Sequence, residues 1–146
     1  MNRYSWAQGY VYKCDAQVAG EMCEQLARDG ELTAESLLAA NVDENAPLHN
    51  AFEWDNTKAA HLYRVSQARS IICNIRVERP EVERPVKKYF SIVRDDPHYE
   101  AVETILSRED SRERLLRNSR RDFETFKGKY EMLVEWAEVI ALGDQV

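Results

Sequence analysis

The sequence predicts a mainly α-helical protein with several short N-terminal helices, a small β-hairpin and a long C-terminal helix. Three observations carry that reading. Apolar residues recur at spacings of three and four over 16–29 and again over 57–74, the period of a helix with one buried face. An unbroken 3-4-3-4 series, Leu116, Ser119, Phe123, Phe126, Tyr130, Leu133, Ala137 and Ile140, runs through the C-terminal part. Between these regions, 75–93 switches to β-branched and aromatic residues interrupted by Pro80 and Pro85, as short edge strands do. At 146 residues the chain is read as a single domain, 1–146, with room for one core.

Residues 1–14 hold Tyr4, Trp6, Tyr10 and Tyr12 without a helical period. Such an aromatic arm is ordered only where its rings dock on the body or on a neighbouring subunit. The helical part, 15–74, begins at Asp15, a good N-cap. Its first helix runs from Ala16 to Asp29, with Val18, Ala19, Met22, Cys23 and Leu26 on one face and Gly30 as the stop. Thr33 caps a shorter helix to about Ala40, with Leu37 and Leu38 turned inward. Residues 41–56 are rich in turn formers, yet Phe52 and Trp54 predict that this connection folds onto the core. Asp55 or Asn56 caps a third helix, about Thr57 to Asn74, whose buried side is read as Ala59, Leu62, Tyr63, Ser66, Ile71 and Ile72.

The β element occupies 75–102, with a turn at Asp95-Asp96-Pro97-His98 and a short return strand from Tyr99. The last helix is expected over 107–142. Its heptad-like seam points to helices packed at a shallow angle, and Phe123, Phe126, Tyr130 and Leu133 are the expected self-association positions. Gly128 weakens the middle by ~1 kcal/mol relative to alanine. Aromatic rings at three seam positions favour antiparallel packing, against another subunit or against the N-terminal helices, over a tight two-stranded zipper.

Charge is unevenly distributed along the chain. The net charge is -6, but 15–56 carries ten acidic residues against Arg28 alone, while 57–94 carries nine basic against three acidic. The central block is a basic island in an acidic protein. Lys58, Arg64, Gln67, Arg69, Lys87 and Lys88 are its candidate contacts to a nucleic acid or another partner: arginine and lysine hold phosphates, and a glutamine beside an arginine can read base edges. The competing reading is structural. Arg64 and Gln67 can hydrogen-bond the preceding Phe-Glu-Trp-Asp turn, and acidic and basic blocks can neutralise each other within the fold or between subunits. A second arginine run, Arg108 to Arg121, alternates with acids and reads as a salt-bridged, solvated face.

Motifs for chemistry are missing from the sequence. His49, Glu53, Asp55 and His61 lie near one another, but the stretch reads as a loop and Asp55 as a cap, so no metal is expected. Five scattered glycines make no phosphate-binding loop, and no nucleophile elbow is present. Three cysteines without a CxxC spacing predict reduced, cytoplasmic thiols. No cofactor, membrane span or signal peptide is expected.

Asp15-Ala16-Gln17-Val18-Ala19-Gly20, Leu32-Thr33-Ala34-Glu35, Pro47-Leu48-His49, Phe52-Glu53-Trp54-Asp55, Ala59-Ala60 with Tyr63-Arg64, and Gln67-Ala68-Arg69 follow one another in this chain. In that order they resemble a family of small phage and prophage proteins without an assigned activity. The resemblance extends through Lys88-Tyr89-Phe90 and the last helix. It implies phage origin and expression in the cytoplasm of a bacterial host, and it brings no catalytic residues. The expected function is then a non-enzymatic phage or prophage binding protein, a homo-oligomer that contacts DNA or a DNA-handling complex through 57–94. The alternative is a structural or assembly adaptor whose basic island pairs with an acidic surface of a phage or host protein, without nucleic acid.

Overall fold

In a computed structural model the described residues are 1–54 and 58–146, with the side chains of Lys58 and Ala59 outside the description. The expected caps Asp55 and Asn56, the expected burial of Ala59 and the expected contact by Lys58 therefore lie outside the described residues. The protein is mainly helical with small antiparallel sheets. The backbone divides into two compact units, Met1–Thr104 and Ile105–Val146.

The first unit opens on a strand, β1 (Tyr4–Trp6), rather than on a periodless arm. β1 pairs antiparallel with β2 (Ile75–Val77), setting Tyr4 opposite Val77 and Trp6 opposite Ile75. On its other edge β2 pairs with β3 (Val86–Lys87), so β2 is the centre of a three-stranded sheet. The arm docks by its rings as well. Trp6 and Tyr12 meet at 4.5 Å between centroids, and Tyr12 Oη lies 2.6 Å from Ser70 Oγ.

Helix α1 (Ala16–Arg28) starts where Asp15 Oδ1 accepts hydrogen bonds from the Gln17 and Val18 amides, satisfying two of the donors that a helix leaves open at its start. Gly30, at φ 71, ends it. Only glycine takes that left-handed conformation without strain. In α2 (Ala34–Ala39) Thr33 Oγ1 accepts from the Ser36 amide while Ser36 Oγ accepts from the Thr33 amide, a reciprocal cap.

Helix α3 (Lys58–Cys73) is rotated from its expected orientation. Its buried residues include Ala60, Arg64, Val65, Ala68, Ile71 and Ile72, while Leu62, Tyr63 and Ser66 face solvent. The small Ala60 and Ala68 lie on the inner side, where α3 packs against α2. Ile71, Ile72, Ile75 and Val77 are fully buried beside Leu37, Leu48 and Phe52, each contributing on the order of 1.5–3 kcal/mol by leaving water. A second sheet pairs β4 (Tyr89–Phe90) with β5 (Glu100–Ala101), and α4 (Val102–Ser107) carries the chain across the unit boundary.

In the second unit the expected helix to about Leu142 is interrupted. Helix α5 (Glu109–Tyr130) ends at Tyr130, a turn and a short 3-10 segment follow, and α6 (Ala137–Gly143) completes the chain. The return is fixed by close contacts. The Phe123 ring lies against Gly143, where a Cβ would sit 2.3 Å from Cζ. Trp136 meets Phe126 edge-on at 5.1 Å, and Lys127 Nζ donates to Asp144 at 3.0 Å. Phe123 and Phe126 thus meet residues of the returning chain.

Candidate functional site

Residues 47–70 combine the aromatic turn and the start of the basic island, and their geometry is a clamp. Asn41, fully buried, accepts from the Leu48 amide through Oδ1 and donates to the Leu37 carbonyl through Nδ2. His49 stacks on Trp54 with centroids 4.4 Å apart and planes within 5°, and Trp54 Nε1 donates to the His49 carbonyl at 2.7 Å. Arg64 closes the clamp from α3. Its guanidinium lies 5.3 Å from the Trp54 ring centre, and Nη1 donates to the Glu53 carbonyl at 3.0 Å. Gln67 Oε1 accepts from the Glu53 amide at 3.0 Å. Arg64 and Gln67 thereby take the structural role and hold the turn to the helix. Arg64→Met is expected to destabilise the fold by about 1–2 kcal/mol through the lost charge-assisted bond and ring contact. Arg64→Lys should lose nearly as much, because an ammonium cannot both lie flat on the ring and reach the carbonyl. Urea unfolding of the two variants checks this, and a lysine variant as stable as the parent would contradict the clamp.

The other expected contacts disperse. Lys88 is only 2 % exposed, its ammonium 2.8 Å from Glu103 Oε2 and 5.8 Å from the ring centres of Tyr4 and Tyr89. A lysine so placed cannot hold phosphate. Lys87 is half-buried, donates to the Cys73 carbonyl at 3.0 Å, and is pushed below the usual lysine pKa by desolvation. Arg69 is exposed, beside Tyr99 and the 95–97 turn. Of the five of these residues whose side chains are described, Arg64 and Lys88 are buried, Gln67 and Lys87 are bonded to backbone, and Arg69 is exposed.

Burial raises the Cys14 thiol to about 11 and pushes Cys23, fully buried, upward as well, so both stay protonated at neutral pH and are poor nucleophiles. A groove of about 430 Å³ runs between Tyr12, Phe52, Tyr63, Ser66 and Ser70, but its Tyr12 and Ser70 hydroxyls bond to each other. Among the described residues no three His, Cys, Asp or Glu side chains converge as metal ligands, and no helix is long and apolar enough to cross a membrane.

The C-terminal hairpin offers a different kind of surface. Met132 is 74 % exposed, Val134 80 % and Leu142 65 %, with Leu133 and Val139 also open to solvent. Val139 and Leu142 are three residues apart on α6 and share a side. Of the expected self-association positions Tyr130 and Leu133 are exposed, while Phe126 meets Trp136 and Phe123 lies against Gly143; Met132, Val134, Val139 and Leu142 were not among them. No protein-family model, curated protein or solved structure matches this chain.

Proposed function

We propose that this is a non-enzymatic assembly protein that self-associates through its C-terminal hairpin. The observation that carries the reading is the exposed aliphatic run Met132, Leu133, Val134, Val139 and Leu142 in a unit of only 42 residues. Chains that short rarely bury enough apolar surface to be stable without help, and a second chain over this surface would supply the missing burial. The raised pKa values of the Cys14 and Cys23 thiols argue against nucleophilic chemistry at those two cysteines. The resemblance to small phage and prophage proteins supplies the setting, the cytoplasm of a bacterial host during phage expression. Nucleic-acid contact through 57–94, by contrast, rests on exposed Arg69, Arg84 and Arg94 once Arg64, Lys87 and Lys88 are engaged inside the fold.

Light scattering at micromolar concentration tests this. The parent chain is expected as an oligomer, and Leu142→Glu, which places a charge on an exposed position, is expected to return it to a monomer with unchanged helicity by circular dichroism. A monomeric parent chain overturns the self-association reading.

A further inference from the structure

Helix α5 has a face that the hairpin does not use. Phe123 and Phe126 turn toward the returning chain. Arg114, Arg117 and Arg121, spaced i, i+3, i+7, line up on the other side of the helix, and all three are exposed. Alternation with acids predicts i,i+4 ion pairs here, Asp110 with Arg114 and Glu113 with Arg117. Neither pair forms; the stretch holds instead an Arg108–Asp110 contact at 3.9 Å. Among the described residues, none pairs with the Arg114, Arg117 or Arg121 guanidinium. Asp110 and Glu124 mark the two ends of the row, and the space between is polar.

We propose that Arg114, Arg117 and Arg121 are a contact surface for a nucleic-acid phosphate backbone. At 1.5 Å rise per residue they are spaced by roughly 4.5 Å and 6 Å along the axis, a row that can follow successive phosphates of one strand. Guanidinium groups match phosphate oxygens bidentately and are weakly hydrated, so they give up water at little cost. The face has no apolar side chain to serve as the buried anchor that protein interfaces concentrate their affinity on, which favours a phosphate backbone over an acidic protein surface. Within its unit the row lies on the side of α5 away from the returning chain, so it would allow one chain to bind a strand and another protein copy at once.

The test is binding of the full-length protein to a short fluorescent DNA duplex, followed by anisotropy from about 25 to 200 mM salt. Three phosphate contacts predict a slope of about -2.7 in log affinity against log salt. Arg114→Gln, Arg117→Gln and Arg121→Gln are each expected to flatten that slope by about 1, while the double change Arg84→Gln, Arg94→Gln leaves it alone. All these positions are exposed, and circular dichroism checks that the variants fold. Absence of binding at the lowest salt overturns the proposal. So does a slope that responds to the 84/94 pair and not to the α5 changes, or a polyglutamate that binds as tightly as the duplex with the same dependence on the α5 arginines.

Discussion

Gly20→Ala is expected to lower stability by roughly 3 kcal/mol, although alanine is by itself the better helix former by about 1 kcal/mol. Gly20 lies inside α1, buried, and a Cβ built there would stand 2.1 Å from Tyr4 Cγ, with both Cδ atoms within 2.5 Å. Those are the atoms nearest the Tyr4 backbone, so the ring cannot swing clear without moving β1. The ring is also held at its far end, where its hydroxyl donates to Glu24 Oε2 at 2.9 Å. Displacing it opens the contact between β1 and α1 and forfeits most of the burial of an aromatic side chain, a loss of the overpacking and cavity kind. For a protein of this size the midpoint of thermal unfolding should fall by about 10 °C. A double-mutant cycle separates the clash from other causes. In a Tyr4→Ala background the same Gly20→Ala change should stabilise by about 0.5–1 kcal/mol, because helix propensity is then all that remains. Destabilisation of equal size in both backgrounds would show that the ring contact is not the reason.

Tyr4 also shows where sequence reasoning stops. A three-residue strand has no period to detect, and its partner Val77 is more than seventy positions away, so the aromatic arm could be read only as something that must dock. The caps at Asp15 and Thr33 were legible because capping is settled within three residues of chain. The clamp at 53–67 was legible as an alternative because Arg64 and Gln67 lie on the helix that follows the turn, only 11 and 14 residues beyond Glu53. Lys88 was not legible, since charge predicts exposure and only the placement of β3, β4 and α4 around it creates a buried niche. Leu62 and Tyr63 mislead in the opposite direction. They are large and apolar, yet they face solvent while the small Ala60 and Ala68 are buried. At the C-terminus the 3-4 spacing does not record whose helix its side chains meet: Phe123 and Phe126 contact the returning chain, while Tyr130 and Leu133 are exposed.

The same logic makes Lys88 and Glu103 the second consequential pair, and their two substitutions should behave oppositely. Glu103→Gln is expected to destabilise by about 2 kcal/mol. It keeps a hydrogen-bond acceptor near Lys88 but removes the carboxylate that faces both the Lys88 ammonium at 2.8 Å and Arg79 Nη1 at 3.5 Å, leaving a nearly inaccessible cation without a counter-ion. Breaking a fully buried pair costs about 3–5 kcal/mol; the lower figure follows because Glu103 remains 42 % exposed and water screens part of the loss. Lys88→Met, in contrast, replaces the charged end with an apolar one of similar length between the Tyr4 and Tyr89 rings, and should change stability by less than about 1 kcal/mol in either direction. In the double variant the Glu103→Gln penalty should largely disappear, since no buried ammonium is left to strand. Denaturant unfolding of the four proteins measures the coupling directly, and additive losses would mean that the ion pair is incidental. Nucleic-acid affinity adds an independent readout. If Lys88 acts within the fold, Lys88→Met leaves the salt slope of DNA binding where it was. A flattened slope would return Lys88 to the surface and with it the basic island as the site of contact.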